Sequence, residues 1–274
     1  MSRNLAFAAF LAIVSCAICA AAPPRYEAIG KYEASERRAL ERDSAASGPM
    51  EQYQAAVADA ASADPDEIYK SLSPVVPFNN RLVWSVDDGT TRVLTVTWTS
   101  WSGYNEAVGA TTILAREVWA TLVPDIREFA LALPGTPDDK PLRIEQLLGL
   151  PPGTGKAWFV EMWASPDDLF RPSADPEITD FEAGPDFPKP ASRLAVSPEH
   201  AAWIDSLKAS SYGAAGYPWT RLGYTYDWGN PSSEIGLSEY VIAAGATVRI
   251  HASIATKFYL NAPHSTAGDW AFYR

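Results

Sequence analysis

The densest run of residues able to bind or react is Tyr217-Pro-Trp-Thr-Arg-Leu-Gly-Tyr-Thr-Tyr-Asp-Trp-Gly-Asn230, which packs five aromatics beside Arg221 and Asp227. Flat aromatic faces next to a charged pair suit a sugar ring, a peptide or a planar ligand, and a guanidinium can grip a carboxylate with two parallel hydrogen bonds. Alternate residues of an extended chain face opposite ways. Tyr224, Tyr226 and Trp228 therefore share one parity, and Arg221 and Asp227 the other. A bulge at Gly223 would bring Arg221 round to the aromatic side. The expected ligand-binding set is Arg221, Tyr224, Tyr226, Asp227 and Trp228. The plainer reading is that the rings are core and that Arg221 pairs inside its own protein.

Carboxylates offer a second chemistry. Asp175 and Glu177, together with Glu161, Asp227 or Glu239, would supply an acid and a base for glycoside hydrolysis if the fold brought two of them to the right separation. Asp175 and Glu177 lack the spaced pattern with central glycine of a calcium loop, and they also read as a solvated acidic stretch. Pro151-Pro-Gly-Thr-Gly-Lys156 resembles the phosphate-binding loop of AAA-type ATPases. However, Leu150 replaces the opening glycine, Ala157 replaces the magnesium-binding hydroxyl, and the string follows a helix pattern and opens a strand pattern. That order is the reverse of what aims backbone N–H groups at a phosphate, so a turn is expected. No Gly-x-Ser-x-Gly elbow is present around Ser165 or Ser211. His200, His251 and His264 are far apart in sequence, so no zinc site is expected. Neither a metal nor a cofactor is expected.

The start of the chain reads as an address. Arg3 precedes Leu5–Ala22, which carries no charge and ends in small residues, the pattern of a secretory signal. Cleavage after Ala21 fits that pattern. Ile13-Val-Ser-Cys16 also resembles the lipobox of bacterial lipoproteins, which implies lipidation at Cys16. Cys16 and Cys19 are the only cysteines; both lie in this segment, so the mature domain is expected to fold without an intrachain disulfide. A chain of this length buries enough surface to do so. The formal charge is −11, and loss of Arg3 with the leader makes it more negative still. Such a surface repels nucleic acid and anionic lipid. Contact with a membrane is expected only through the signal or a lipid anchor. The expected location is the periplasm, the cell envelope or the extracellular space.

Residues 23–66 are polar and lack tryptophan, and they read as a tether or loosely helical arm. All ten tryptophans lie beyond them, so residues 67–274 are expected to form one globular domain with a Trp-rich core. Residues 81–86 and 92–99 form a predicted hairpin around Asp87-Asp-Gly89. A third strand is expected at 117–123, closed by Pro124, and a buried strand at 157–163. Helices are predicted at 125–133 with Asp125 as N-cap, at 142–148 before Gly149, and from Ser197 to Ser210 with Pro198 in the first turn. The proline-rich stretch 166–190 reads as a long loop. Tyr240–Ile242 and 247–254 read as a second hairpin-like pair around Gly245. The pattern is α+β, an antiparallel sheet built from hairpins with a few packed helices. The expected function is that of an exported binding module for a small molecule, a glycan or a protein partner, with a carboxylate hydrolase as the alternative.

Overall fold

The computed structural model describes residues 47–136, 138–188 and 196–261. The leader, Cys16, Cys19 and His264 lie outside the described residues. The described residues hold no cysteine, so no disulfide crosses the fold. The protein is α+β, with a large antiparallel sheet, a smaller two-stranded sheet and, among the described residues, five helices.

The sheet grows from the hairpin read in the sequence. Strands β1 (Trp84–Asp87) and β2 (Thr90–Thr99) pair antiparallel from Trp84↔Val93 to Asp87↔Thr90. Asp88 and Gly89 turn the chain at φ 50° and 75°, the left-handed geometry that a two-residue hairpin loop requires. Strand β2 is central. On one side it pairs with β5 (Trp158–Ala164) over its whole second half, and β5 pairs in turn with β10 (Thr247–Ala255). The short β3 (Thr111–Ile113) closes that edge against β10. On the other side lie β4 (Val118–Leu122), β9 (Tyr240–Ile242) and β6 (Leu169–Phe170). The expected β9–β10 hairpin does not form. Gly245 does turn the chain, but β9 joins β4 and β6, and β10 joins β3 and β5. Strands β7 (Tyr224–Tyr226) and β8 (Ile235–Ser238) make the separate small sheet.

Strand alternation sorts the side chains onto two faces. Val93, Val160, Met162, Tyr240, Ile242 and Ile250 belong to one apolar cluster. Leu94, Val96, Trp98, Phe159 and Trp163 belong to the other, with Ile126 and Ala130 of α2 (Asp125–Ala132) and Ile144 and Leu147 of α3 (Lys140–Leu147). Trp98, Trp163, Trp219 and Trp228 are buried. Asp125 is not a cap: it makes no capping hydrogen bond, and its carboxylate meets Arg81 at 3.2 Å. Helix α4 (Pro198–Ser211) starts as predicted, with Ser197 Oγ accepting from the His200 N–H. The last described helix, α5 (Thr256–Tyr259), lays the Tyr259 ring on Phe159 with centroids 4.4 Å apart.

The described end of the expected tether is packed structure. Residues Pro49–Asp59 form α1, whose Tyr53, Ala56 and Val57, at i, i+3 and i+4, bury against Trp228. Tyr53 donates to Gly216 O at 2.7 Å. Residues 166–188 are mostly irregular, as read, but not loosely draped. Fully buried Arg171 anchors them on Asp180 and on Glu182 O, and Phe181 O and Ile178 O accept from the N–H groups of Leu72 and Val75.

Candidate functional site

The aromatic segment divides between two environments. β7 and β8 shift register between Tyr224 and Tyr226, and the three rings expected to share a face, Tyr224, Tyr226 and Trp228, fall into two apolar clusters. Tyr224 is buried beside Leu72, Ala183 and Leu222, and its hydroxyl donates to Glu67 O. Tyr226 and Trp228 belong instead to the patch under α1. Arg221, at φ 62°, does not join them. Its guanidinium lies over Tyr212 and donates to Ala61 O at 2.9 Å. Asp227 is buried and takes both terminal nitrogens of Arg143, at 2.7 and 2.6 Å. Tyr226, Asp227 and Trp228 do line a cavity of about 910 Å³ with α1. Their polar atoms are already engaged there. The Tyr226 hydroxyl donates to Asp59 and the Trp228 Nε1–H to Leu150 O.

The other carboxylates are also occupied or enclosed. Glu161 is fully buried near Arg127, Tyr259 and His251, whose Nε2 lies 3.9 Å from it. Burial pushes its carboxyl up, against the pull of Arg127 and Tyr259. Asp175 and Glu177 turn back on their own loop, accepting from the N–H groups of Glu177 and Thr179. The phosphate-loop look-alike is a turn, as expected from its order. Its Gly153 and Thr154 N–H groups are taken by the Glu145 carboxylate at 2.9 and 2.7 Å, and Lys156 Nζ donates to Trp98 O. Among the described residues no group of three or more metal-ligating side chains comes together.

Glu239 is different. The β2–β4 ladder ends at Val96↔Thr121. Beyond it β2 runs on to Thr99 along β5, while Val118–Ala120 turn to β9. The strands fork there, and a cavity of about 620 Å³ fills the fork. Trp98 and Trp119 line it from the two strands, Trp101 and Tyr104 from the loop after β2, Leu148 and Leu150 from beyond α3, and Glu239 from the start of β9. Extending the Ala120↔Tyr240 register by one step sets Glu239 opposite Thr121. No described residue bonds to or pairs with the Glu239 side chain. Its N–H is spent on Gly223 O. Glu239 is partly exposed and lines the cavity. Desolvation alone pushes its carboxyl up from 4.5 to about 8. Thr121 Oγ1, buried, also lacks a partner among the described residues. Glu117 lines the same cavity but accepts from Trp203 Nε1 at 2.8 Å.

Glu239 was among the candidate carboxylates of the sequence, but Trp98, Trp101, Tyr104 and Trp119 were not assigned to a site. The one local signal is an acid abutting the apolar run Tyr240-Val-Ile242. Set against models of protein families, curated proteins and solved structures, the chain matches none of them.

Proposed function

We propose that this is an exported, non-enzymatic binding protein that holds a small molecule in the β2–β4 fork. The observation that carries the reading is Glu239, a carboxyl that lines an aromatic-walled cavity and has no partner among the described residues. An unpaired polar group in such a place costs free energy that a ligand's own polar group recovers. Pockets that bind small molecules have this makeup, mostly apolar walls and a few convergent polar groups. The surface lined by Tyr226, Asp227 and Trp228 is the weaker candidate, because the polar atoms of these three side chains are engaged within the protein.

A thermal-shift screen of small amines, acids and sugars tests the reading. Hits lost in Glu239→Gln and kept in Arg221→Ala assign binding to the fork. Hits lost only in Arg221→Ala return it to the aromatic segment.

A second reading, hydrolysis of a glycan, is favoured by one observation: Glu117 shares the cavity with Glu239. Glu239 would be the acid and Glu117 the second carboxyl of the pair. Turnover of chromogenic glycosides that stops in both Glu239→Gln and Glu117→Gln would establish it, and no turnover by the native protein would end it.

A further inference from the structure

Resting on the cavity reading, we infer that the ligand is an organic cation, an ammonium group carried on an apolar body, with Glu239 as its counter-ion. The geometry points this way because Glu239 is the one cavity-lining carboxylate that no described residue engages, while Arg116 reaches the cavity from an exposed position. Thr225 Oγ1 is committed to Leu147 O and the Leu237 N–H, Thr99 Oγ1 accepts from the Trp101 N–H, Glu117 is held by Trp203 and Lys156 by Trp98 O. A single cation needs one carboxylate and aromatic faces. Trp98, Trp101, Tyr104 and Trp119 supply those faces, and the negative face of an aromatic ring attracts a cation. The formal charge of −11 draws cations toward the surface.

The titratable and charged groups lining the cavity besides Glu239 are Tyr104, Arg116, Glu117 and Lys156. None of them is among the causes of the Glu239 shift, which is desolvation alone. In the free protein at neutral pH Glu239 therefore keeps its proton. A bound cation makes ionisation favourable, so binding releases that proton to solvent. Affinity for a cation that does not itself titrate rises with pH until Glu239 is ionised without help.

The test is calorimetric titration with benzyltrimethylammonium and with 2-phenylethanol, which carries the same ring without a charge. The native protein should bind the cation at least about tenfold more tightly at neutral pH, with one proton released per cation bound. The affinity should climb by up to about tenfold per pH unit below the Glu239 pKa. Glu239→Gln mimics the protonated carboxyl without its linkage cost, so it should melt no lower than the native protein at neutral pH, remove the preference and abolish the proton release. Equal binding of both probes by the native protein would overturn the cationic class while leaving the cavity. Binding of neither probe would remove both readings.

Discussion

Arg143 holds Asp227 through two parallel hydrogen bonds, Nη1 to Oδ1 at 2.7 Å and Nη2 to Oδ2 at 2.6 Å, which fasten α3 to the segment after β7. The two partners are unequally buried: the Asp227 side chain is 3% exposed and that of Arg143 23%. Removing the arginine strands a carboxylate away from water, whereas removing the aspartate leaves a guanidinium that still reaches solvent and rests on Phe129. Arg143→Ala is therefore expected to cost about 3–5 kcal/mol, and Asp227→Asn clearly less. Urea unfolding of both variants checks the order, and equal losses would show that the pair is solvated on both sides.

Helix α1 belongs to the fold. Tyr53 stacks edge-on to Trp228 with centroids 5.9 Å apart, and its hydroxyl is spent on Gly216 O. Truncation by Tyr53→Ala should cost about 3 kcal/mol. Limited proteolysis should leave a stable fragment that begins before Pro49. A fragment beginning beyond Pro65 would restore the tether.

Glu145 does for the turn at residues 151–156 what a phosphate does for a nucleotide-binding loop. Its carboxylate takes two backbone N–H groups and the Thr154 hydroxyl. Glu145→Ala should cost about 1–3 kcal/mol by leaving those donors unpaired. Magnesium-ATP should leave the melting temperature of the native protein unchanged, and a rise that grows with ATP concentration would reinstate the nucleotide reading.

What the sequence made legible was local. Asp87-Asp-Gly89 specified the first hairpin because only a short left-handed turn satisfies it, and Ser197-Pro198 specified the start of α4 because capping needs no distant partner. The pairing of β9 with β4 and of β10 with β5 depends on residues far along the chain, so the Gly245 turn suggested a hairpin that tertiary pairing overrides. Helix α1 was obscured because two of its three buried residues are small, Ala56 and Val57, which barely stand out from a polar, alanine-rich stretch. The fork was invisible for the same reason as the β9–β10 pairing. Trp98, Trp119 and Glu239 converge only because two strands part company at Val96 and Thr121.

The proposal of export makes a mass prediction. Protein recovered from a secreting host should begin at Cys16, carrying lipid, or near Ala22, and intact-mass measurement distinguishes the two. A cytosolic product retaining Arg3 would refute export.

The last prediction turns Glu239 into a stability measurement. Its carboxyl is pushed from 4.5 to about 8 in the folded protein. Below 4.5 both folded and unfolded chains hold the proton, so the group contributes nothing. Between 4.5 and about 8 the folded chain keeps a proton that the unfolded chain releases, so stability falls as pH rises, and the loss is complete above about 8. Asp125, raised by burial to about 6, acts in the same sense over a lower window. Glu161, raised by burial, also acts in that sense, whereas His251, pushed down by burial and then by Arg249, acts in the opposite one. All three are present in wild type and in Glu239→Gln, so they cancel in the difference between the two. That difference should be small near pH 4.5 and swing toward the glutamine variant as pH rises, by on the order of a few kcal/mol at about pH 9. Chemical denaturation at a series of pH values measures it directly. If the two stability curves stay parallel from about pH 5 to about pH 9, Glu239 is as well solvated in the folded protein as in the unfolded one. The cavity reading would then lose the observation it stands on.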